Sequence, residues 1–476
     1  MIDLENLTIE KAHEALTKRQ FSCVDLAEAY LKVIKEKNTE INAYLEVYDD
    51  VILQAKAADK RLAEGSATLM TGIPVAVKDN ILITGRVVSS GSKILENYKG
   101  TYDATVIKKL KDAGAVFLGR TNMDEFAMGV STENSAFGVT KNPYDTKRVP
   151  GGSSGGSTAA IAMNGALVAL GTDTGGSCRQ PASFCGVVGL KPTYGSVSRH
   201  GLTAMGSSLD VVGSIAKNVS DVEILFNSIK GEDKMDSTSR EFLHKKEIAG
   251  KPTIGIPHDF IKEGVDKRVL DNFEKVIKKL KSAGFIIKDV ELPYVKYSVP
   301  AYYIVTPAEI SANLARFDGI RYGYAAPAGN LLEVYKKSRG KGFGKEVRRR
   351  IMLGTYVLSH GYHDAYYDKA NAVRKLIVHD YEKAFKKVDV ILTPTTTGPA
   401  FKIGEKVNDP VKMYLEDIFT GSANMAGLPA ISIPSGFIEE EGKKLPLGVQ
   451  FMAPHGGEGI LFEIGKKFES IFKDGP

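Results

Sequence analysis

Cysteine is scarce in this sequence: its 476 residues include only Cys23, Cys178 and Cys185. The count is odd and no pair has C-x-x-C spacing, so neither a disulfide framework nor a zinc site is expected, and no metal is assigned to the chain. Long apolar runs are missing too. No stretch approaches the ~20 apolar residues that span a bilayer. The opening MIDLENLTIEKAHEAL places acids before any apolar run, which a secretory signal does not do. Charge of one sign is also lacking. The 63 basic and 57 acidic residues leave a net +6, too mild to argue for direct binding of nucleic acid. The expectation is a soluble, cytoplasmic protein with no membrane contact.

What is present is an apolar fraction of 43%, enough for a large core. Strand and helix signals alternate along the whole length, which predicts an α/β sandwich. The chain reads as one domain over 1–476: a helical segment over 1–65 packed on an α/β core over 66–476, with a mostly helical, polar insertion around 300–385. Thr8 caps a helix carrying Ile9, Ala12 and Leu16. Ser22 and Asp25 form a capping box before Leu26, Ala29, Tyr30 and Val33. Residues 71–80 read as a turn feeding a short buried strand that ends in Lys78. Residues 104–118 read as a helix, a stop at Gly114 and a strand over 115–118. Residues 186–199, short apolar runs mixed with Gly and Pro, read as an active-site loop on a rigid scaffold, and Ser220 with Glu223 as a second capping box. Further strands are expected over 251–256, 285–290, 388–392 and 430–433, the last two ended by prolines. Helices are expected over 269–280 and 459–472.

The stretch 149–179, VPGGSSGGSTAAIAMNGALVALGTDTGGSCR, holds two Gly-Gly-Ser elements on either side of an apolar segment. Such runs usually make flexible linkers. Here both abut a core, which favours glycines used for φ > 0 and for close approach of backbone to a ligand. Two chemistries fit. Residues 151–155, GGSSG, match the G-x-S-x-G of a nucleophile elbow, which needs a strand before the serine and an acid and a histidine later. Turn-forming residues, KNPYDTKRVP, stand where that strand should be, although histidines do follow. The other chemistry joins Lys78, Ser153 and Ser177. A serine attacks only when a base takes its proton, and lysine is a base only where desolvation keeps it neutral. The apolar run over 73–77 offers such a place. Thr174, Gly175, Gly176 and Ser177 then supply successive backbone N–H groups as an oxyanion hole. Residue chemistry alone does not single out this trio.

Lys78, GGSSGGS at 151–157 and GTDTGGSCRQPASFCGVVGLKPTYG at 171–195 together resemble the amidase signature family, with the two serines 24 residues apart. The resemblance covers nearly the whole chain. It implies a large mixed β-sheet between helical layers and a Ser–cisSer–Lys triad, with Ser177 as nucleophile, Ser153 as bridging serine after a cis peptide and Lys78 as base. Cys178 stands where an aliphatic residue is more usual, and reads as a buried apolar filler. Asp173 and Arg179 are expected to orient the loop.

Four later segments resemble one branch of that family, the glutamine-hydrolysing A subunits of tRNA-dependent amidotransferases: YYIV at 302–305, EISANLARFDGIRYG at 309–323, EVRRRIMLG at 346–354 and YLEDIFT at 414–420. The resemblance implies that Tyr302 (or the adjacent Tyr303), Arg350 and Asp417 hold glutamine. Free glutamine is a zwitterion, so its carboxylate suits a guanidinium and its ammonium a carboxylate. The plain alternatives are a solvated helix charge for Arg350 and a surface acid for Asp417. The branch further implies B and C partner subunits in a heterotrimer. ATP and Mg²⁺ are expected in the B subunit, mischarged tRNA is met mainly through it, and no cofactor is expected in this chain. A stand-alone amidase acting on other small amides is the competing reading.

Overall fold

The computed structural model describes residues 2–242, 250–261 and 264–472. Its strands, in chain order, are β1 (Tyr44–Val47), β2 (Pro74–Lys78), β3 (Val116–Thr121), β4 (Val168–Asp173), β5 (Val188–Lys191), β6 (Val211–Ala216), β7 (Thr253–Ile256), β8 (Ile286–Asp289), β9 (Val390–Pro394), β10 (Ala430–Glu440) and β11 (Lys443–Met452). All eleven join one sheet in the order β1-β3-β2-β4-β6-β5-β10-β11-β9-β7-β8. The pairs β2–β3, β2–β4, β7–β8 and β7–β9 are parallel and the rest antiparallel. The fold is therefore α/β with a large mixed sheet, as expected.

The central strands are buried along their whole length because helices cover them. Every residue of β2 (PVAVK) and of β4 (VALGTD) is buried, the near-continuous apolar pattern of a covered parallel pair. The helix Gly155–Ala162 packs on β2, β4 and β6, Val219–Ile229 on β6, Lys267–Ser282 on β9 and β10, and Glu458–Phe472 on β10. Thr8 and the Ser22–Asp25 capping box start the first two helices, Ile9–Thr17 and Cys23–Ile41. Leu26, Tyr30 and Ile34 carry the second into the same core as β2 and β4. The region after 297 is helical: Ser298–Asn313, Leu331–Gly342, Lys345–Val357 and Lys369–Ala384. The first and third of these cross closely at Gly354, where a Cβ would stand 1.8 Å from the Pro307 carbonyl oxygen.

Four expectations need correction. The first 65 residues are not all helical, since β1 pairs with β3 at the sheet edge. The loop expected over 186–199 contains β5, an interior strand short enough that Gly and Pro on either side hide it. The cap of Val219–Ile229 is Asn218, which accepts from the Asp221 N–H, rather than Ser220. Pro434 does not end β10. A register shift between Pro434 and Gly436 absorbs it, and the strand runs on into a hairpin with β11, because a bulge dispenses with the missing N–H.

Because β2 and β4 are parallel neighbours, their carboxyl ends open on the same edge of the sheet, where loops of an α/β fold gather functional groups. Lys78 and Asp173 are the last residues of those strands. Among the described residues no helix is long and apolar enough to cross a membrane.

Candidate active site

Lys78 ends a strand with neighbours on both sides and is completely buried. Its Nζ lies 2.8 Å from each of three hydroxyl oxygens: Ser153 Oγ, Ser154 Oγ and Thr172 Oγ1. Burial pushes the amine down to about 8, against the pull of Cys178, Asp124, Asp173 and Asp210. An appreciable neutral fraction is thus available near physiological pH. The Gly152–Ser153 peptide is cis, the form the family resemblance implies. The glycines beside it are required by space. A Cβ on Gly152 would stand 2.1 Å from Asp124 Oδ2, and one on Gly151 2.5 Å from Gln180 Oε1. No histidine hydrogen-bonds to Ser153 or Ser177 among the described residues, and no strand leads directly into Ser153, so the nucleophile-elbow reading fails.

Ser177 follows β4 on a loop pinned from several directions. Asp173 and Arg179 form a fully buried ion pair, with Nη2 3.0 Å from Oδ1 and Nε 3.1 Å from Oδ2. Burial alone would raise the Asp173 carboxyl, but the Arg179 charge and its hydrogen bonds hold it at about 2. Arg179 also reaches Thr420 O, Gln450 Oε1 and Asn424 Oδ1, so the structural role expected for the pair is what the geometry displays. Thr420 Oγ1 donates to Gly175 O at 2.7 Å, and Gly176 has φ 144° with Thr420 packed where a Cβ would go. Thr174 Oγ1 donates to Asp210 Oδ1 at 2.6 Å. The backbone N–H groups of Gly175, Gly176 and Ser177 have no acceptor among the described residues, which leaves them free to receive a developing oxyanion. Ser177 joins the Ser153 loop directly, its carbonyl accepting from the Ser154 N–H at 3.1 Å. Cys178 is buried with its Sγ 3.9 Å from Ser154 Oγ, and desolvation pushes its thiol up to about 12, which keeps it protonated beside the serine.

A second group adjoins the loop through Thr420, whose N–H donates to Asp417 O. Arg350 and Asp417 are both buried, unlike the solvated charges of the plain alternatives. Tyr303 Oη donates to Asp417 Oδ2 at 3.0 Å, and the Arg350 guanidinium lies 5.2 Å from the Tyr303 ring centre and 5.4 Å from that of Tyr414. Burial raises the Asp417 carboxyl to about 7, against the Tyr303 hydrogen bond and the Arg350 charge. Tyr302 takes a different place: its ring packs on Gly175, where a Cβ would meet the phenol carbon and oxygen at 2.8 Å. The tyrosine that contacts Asp417 and Arg350 is therefore Tyr303, while Tyr302 covers the loop at Gly175. A cavity of about 120 Å³ opens here, lined in part by Val130, Ser131, Tyr303, Glu346, Arg350 and Tyr414.

The family model of the amidases matches residues 25–462. This chain belongs to the amidase family. Among its amidase relatives, the A subunit of the glutamyl-tRNA(Gln) amidotransferase of Thermoanaerobacter pseudethanolicus is 51% identical over 99% of this chain and 98% of its own. The crystal structure of the Thermotoga maritima protein of that name superposes with a TM-score of 0.80 at 41% identity, covering 99% of this chain and 96% of that one. The peptide amidase of Stenotrophomonas maltophilia has a TM-score of 0.82 at 28% identity over 98% and 97% of the two chains. Amidases that act on different amides thus share this sheet.

The sequence does not single out Ser154, Thr172, Asp210, Thr420, Glu346 or Tyr414. Ser154 is in view as part of GGSSGGS, and Thr172 sits two residues before Thr174. For Thr420 no local signal exists, because Gly175 lies far away in the chain. Asp210 and Glu346 do have near partners, in the N–H groups of Met205 and Gly206 and in Arg349 and Arg350, but no local pattern shows that those contacts are buried at the site.

Proposed function

We propose that this chain is the glutamine-hydrolysing A subunit of a glutamyl-tRNA(Gln) amidotransferase, the enzyme for which its relatives at 48–51% identity over almost their full lengths are named. The observation that carries the reading is the buried Asp417, tied through Thr420 to the Ser177 loop, with the buried Arg350 close to the Tyr303 ring that donates to Asp417. A guanidinium and a carboxylate held out of water match the two charges of free glutamine and nothing in a simple alkyl or aryl amide. A stand-alone amidase acting on uncharged alkyl or aryl amides has no use for that pair.

In this mechanism neutral Lys78 takes the Ser153 proton while Ser153 takes that of Ser177, and Ser177 Oγ attacks the side-chain carboxamide carbon. The oxyanion is held by the N–H groups over Thr174–Ser177. The proton stored on Lys78 returns through Ser153 to the leaving nitrogen, ammonia departs, and a γ-glutamyl ester remains on Ser177. Water, deprotonated by the same relay, hydrolyses it to glutamate. Glutamine lies with its α-carboxylate on Arg350 and its α-ammonium on Asp417 and Tyr303, with Tyr302 closing the wall over Gly175. Residues 1–476 act as one domain, with the insertion around 300–385 supplying Tyr302, Tyr303 and Arg350. The chain works in the cytoplasm in a heterotrimer with B and C subunits. The B subunit would bind mischarged Glu-tRNA(Gln), or Asp-tRNA(Asn), and would hold the ATP and Mg²⁺ that supply activation of the carboxylate the ammonia amidates.

Ser177→Ala tests this directly. Assembled with its partners, the variant loses glutamine-dependent amidation by about 10⁴-fold or more and retains amidation from ammonium chloride. Survival of both activities removes Ser177 as the nucleophile.

A further inference from the structure

Arg350 does not stand alone in its wall. Its Nε donates to Glu346 Oε1 at 2.8 Å, one turn back along the helix Lys345–Val357. The same oxygen accepts from Tyr414 Oη at 3.0 Å, and Oε2 takes Arg349. Tyr414 and Tyr303 stack with ring centres 3.9 Å apart, both beside the guanidinium. Glu346 and Arg350 are 11% and 4% exposed. No hydrogen bond engages Nη1 or Nη2 of Arg350 among the described residues.

A guanidinium offers five N–H donors in one plane, two of which can grip a carboxylate as a parallel pair. Occupying Nε fixes the rotation about the terminal bonds, and two rings fix the plane. What remains is the end-on edge formed by Nη1 and Nη2. Without Glu346 the side chain keeps its charge but loses its direction, and Tyr414 loses its acceptor.

We infer that Glu346 is a positioning residue that aims the free edge of Arg350 into the cavity, and so sets the preference of this site for an amide carrying a carboxylate. The inference rests on the glutamine reading above and adds to it the residue that makes the preference specific. Glu346 touches no reacting atom and acts through Arg350.

Four amides separate the parts: glutamine, glutaramate with the carboxylate only, 4-aminobutyramide with the ammonium only, and butyramide with neither. Each is assayed with the assembled enzyme and its Glu346→Ala and Glu346→Gln variants. Glu346→Ala lowers the ratio of kcat/KM for glutaramate over butyramide by about 30-fold, mainly through KM, and leaves the 4-aminobutyramide ratio within about twofold. Glu346→Gln keeps an oxygen for Nε and holds the glutaramate ratio within about fivefold of the parent. A glutaramate ratio unmoved by Glu346→Ala in a glutamine-preferring parent overturns the inference, as does a parallel fall on all four amides, which marks a merely structural residue. A parent that prefers butyramide to both glutamine and glutaramate overturns the glutamine reading itself.

Discussion

The buried amine of Lys78 and the buried carboxyl of Asp417 predict a pH profile that depends on the substrate. In the proposed mechanism Lys78 acts when neutral, and burial holds it at about 8, so its contribution is lost as pH falls through that value. Asp417 binds the ammonium when ionised and is held at about 7, again by burial, so its contribution is lost below that. Butyramide needs only the first group, whereas glutamine needs both. Between pH 8 and pH 6 the neutral fraction of Lys78 falls about 50-fold, and the product of the two active fractions about 500-fold. Plots of log kcat/KM against pH then run with slope near 1 for butyramide, and steepen towards 2 below pH 7 for glutamine. Asp124 and Asp210, each pushed by burial up to about 6, act on Lys78 through their charge and so influence both substrates alike. Stopped-time ammonia release with the two amides from pH 5.5 to 8.5 provides the measurement, and Asp417→Asn removes the extra steepness. Superimposable limbs, or a limb near the ordinary lysine value of 10.5, would refute the reasoning, since the amine would then be solvated.

Three other outcomes follow from the geometry. Asp173→Asn leaves Arg179 buried without its counter-charge, which costs about 3–5 kcal/mol of stability, read as a lower urea midpoint. In the parent, the depressed Asp173 carboxyl contributes stability that is fully present above its unfolded value of 3.8 and is lost as pH falls towards about 2. Gly176→Ala puts a Cβ 2.2 Å from Thr420 Oγ1 at a φ of 144°, displacing the oxyanion loop. Turnover is expected to fall about 100-fold with an unchanged far-ultraviolet circular dichroism spectrum. Cys178 and Cys185 are buried with thiols pushed up to about 12, so iodoacetamide at pH 8 leaves activity intact and labels them only after unfolding.

Much of the fold was legible because it rests on local rules. Thr8 and the Ser22–Asp25 box announce helices through groups within one turn, and the apolar run before Lys78 announces a covered strand. Except for the cap at Asn218, whose partner Asp221 is three residues away, the misreadings fall where the deciding partner is distant. Strand β5 is recognisable only once β6 and β10 flank it, and β10 continues past Pro434 only because β11 supplies the bulged register. The adjacent tyrosines make the same point about the site. Tyr302 and Tyr303 are neighbours on one helix, and residue type cannot tell which of them meets Asp417. The turn of that helix decides, sending one ring to Gly175 and the other to Asp417 and Arg350.

By itself the sequence determined the glycine-rich loops, the serines and lysine at their spacing, and an apolar content sufficient for a covered sheet. Those properties are carried by neighbouring residues and by composition. Only the tertiary structure decided that the Lys78 amine is dry, that three hydroxyls surround it, and that Tyr303 meets Asp417. Desolvation and hydrogen-bond direction belong to groups brought together from remote parts of the chain, and no window of sequence contains them.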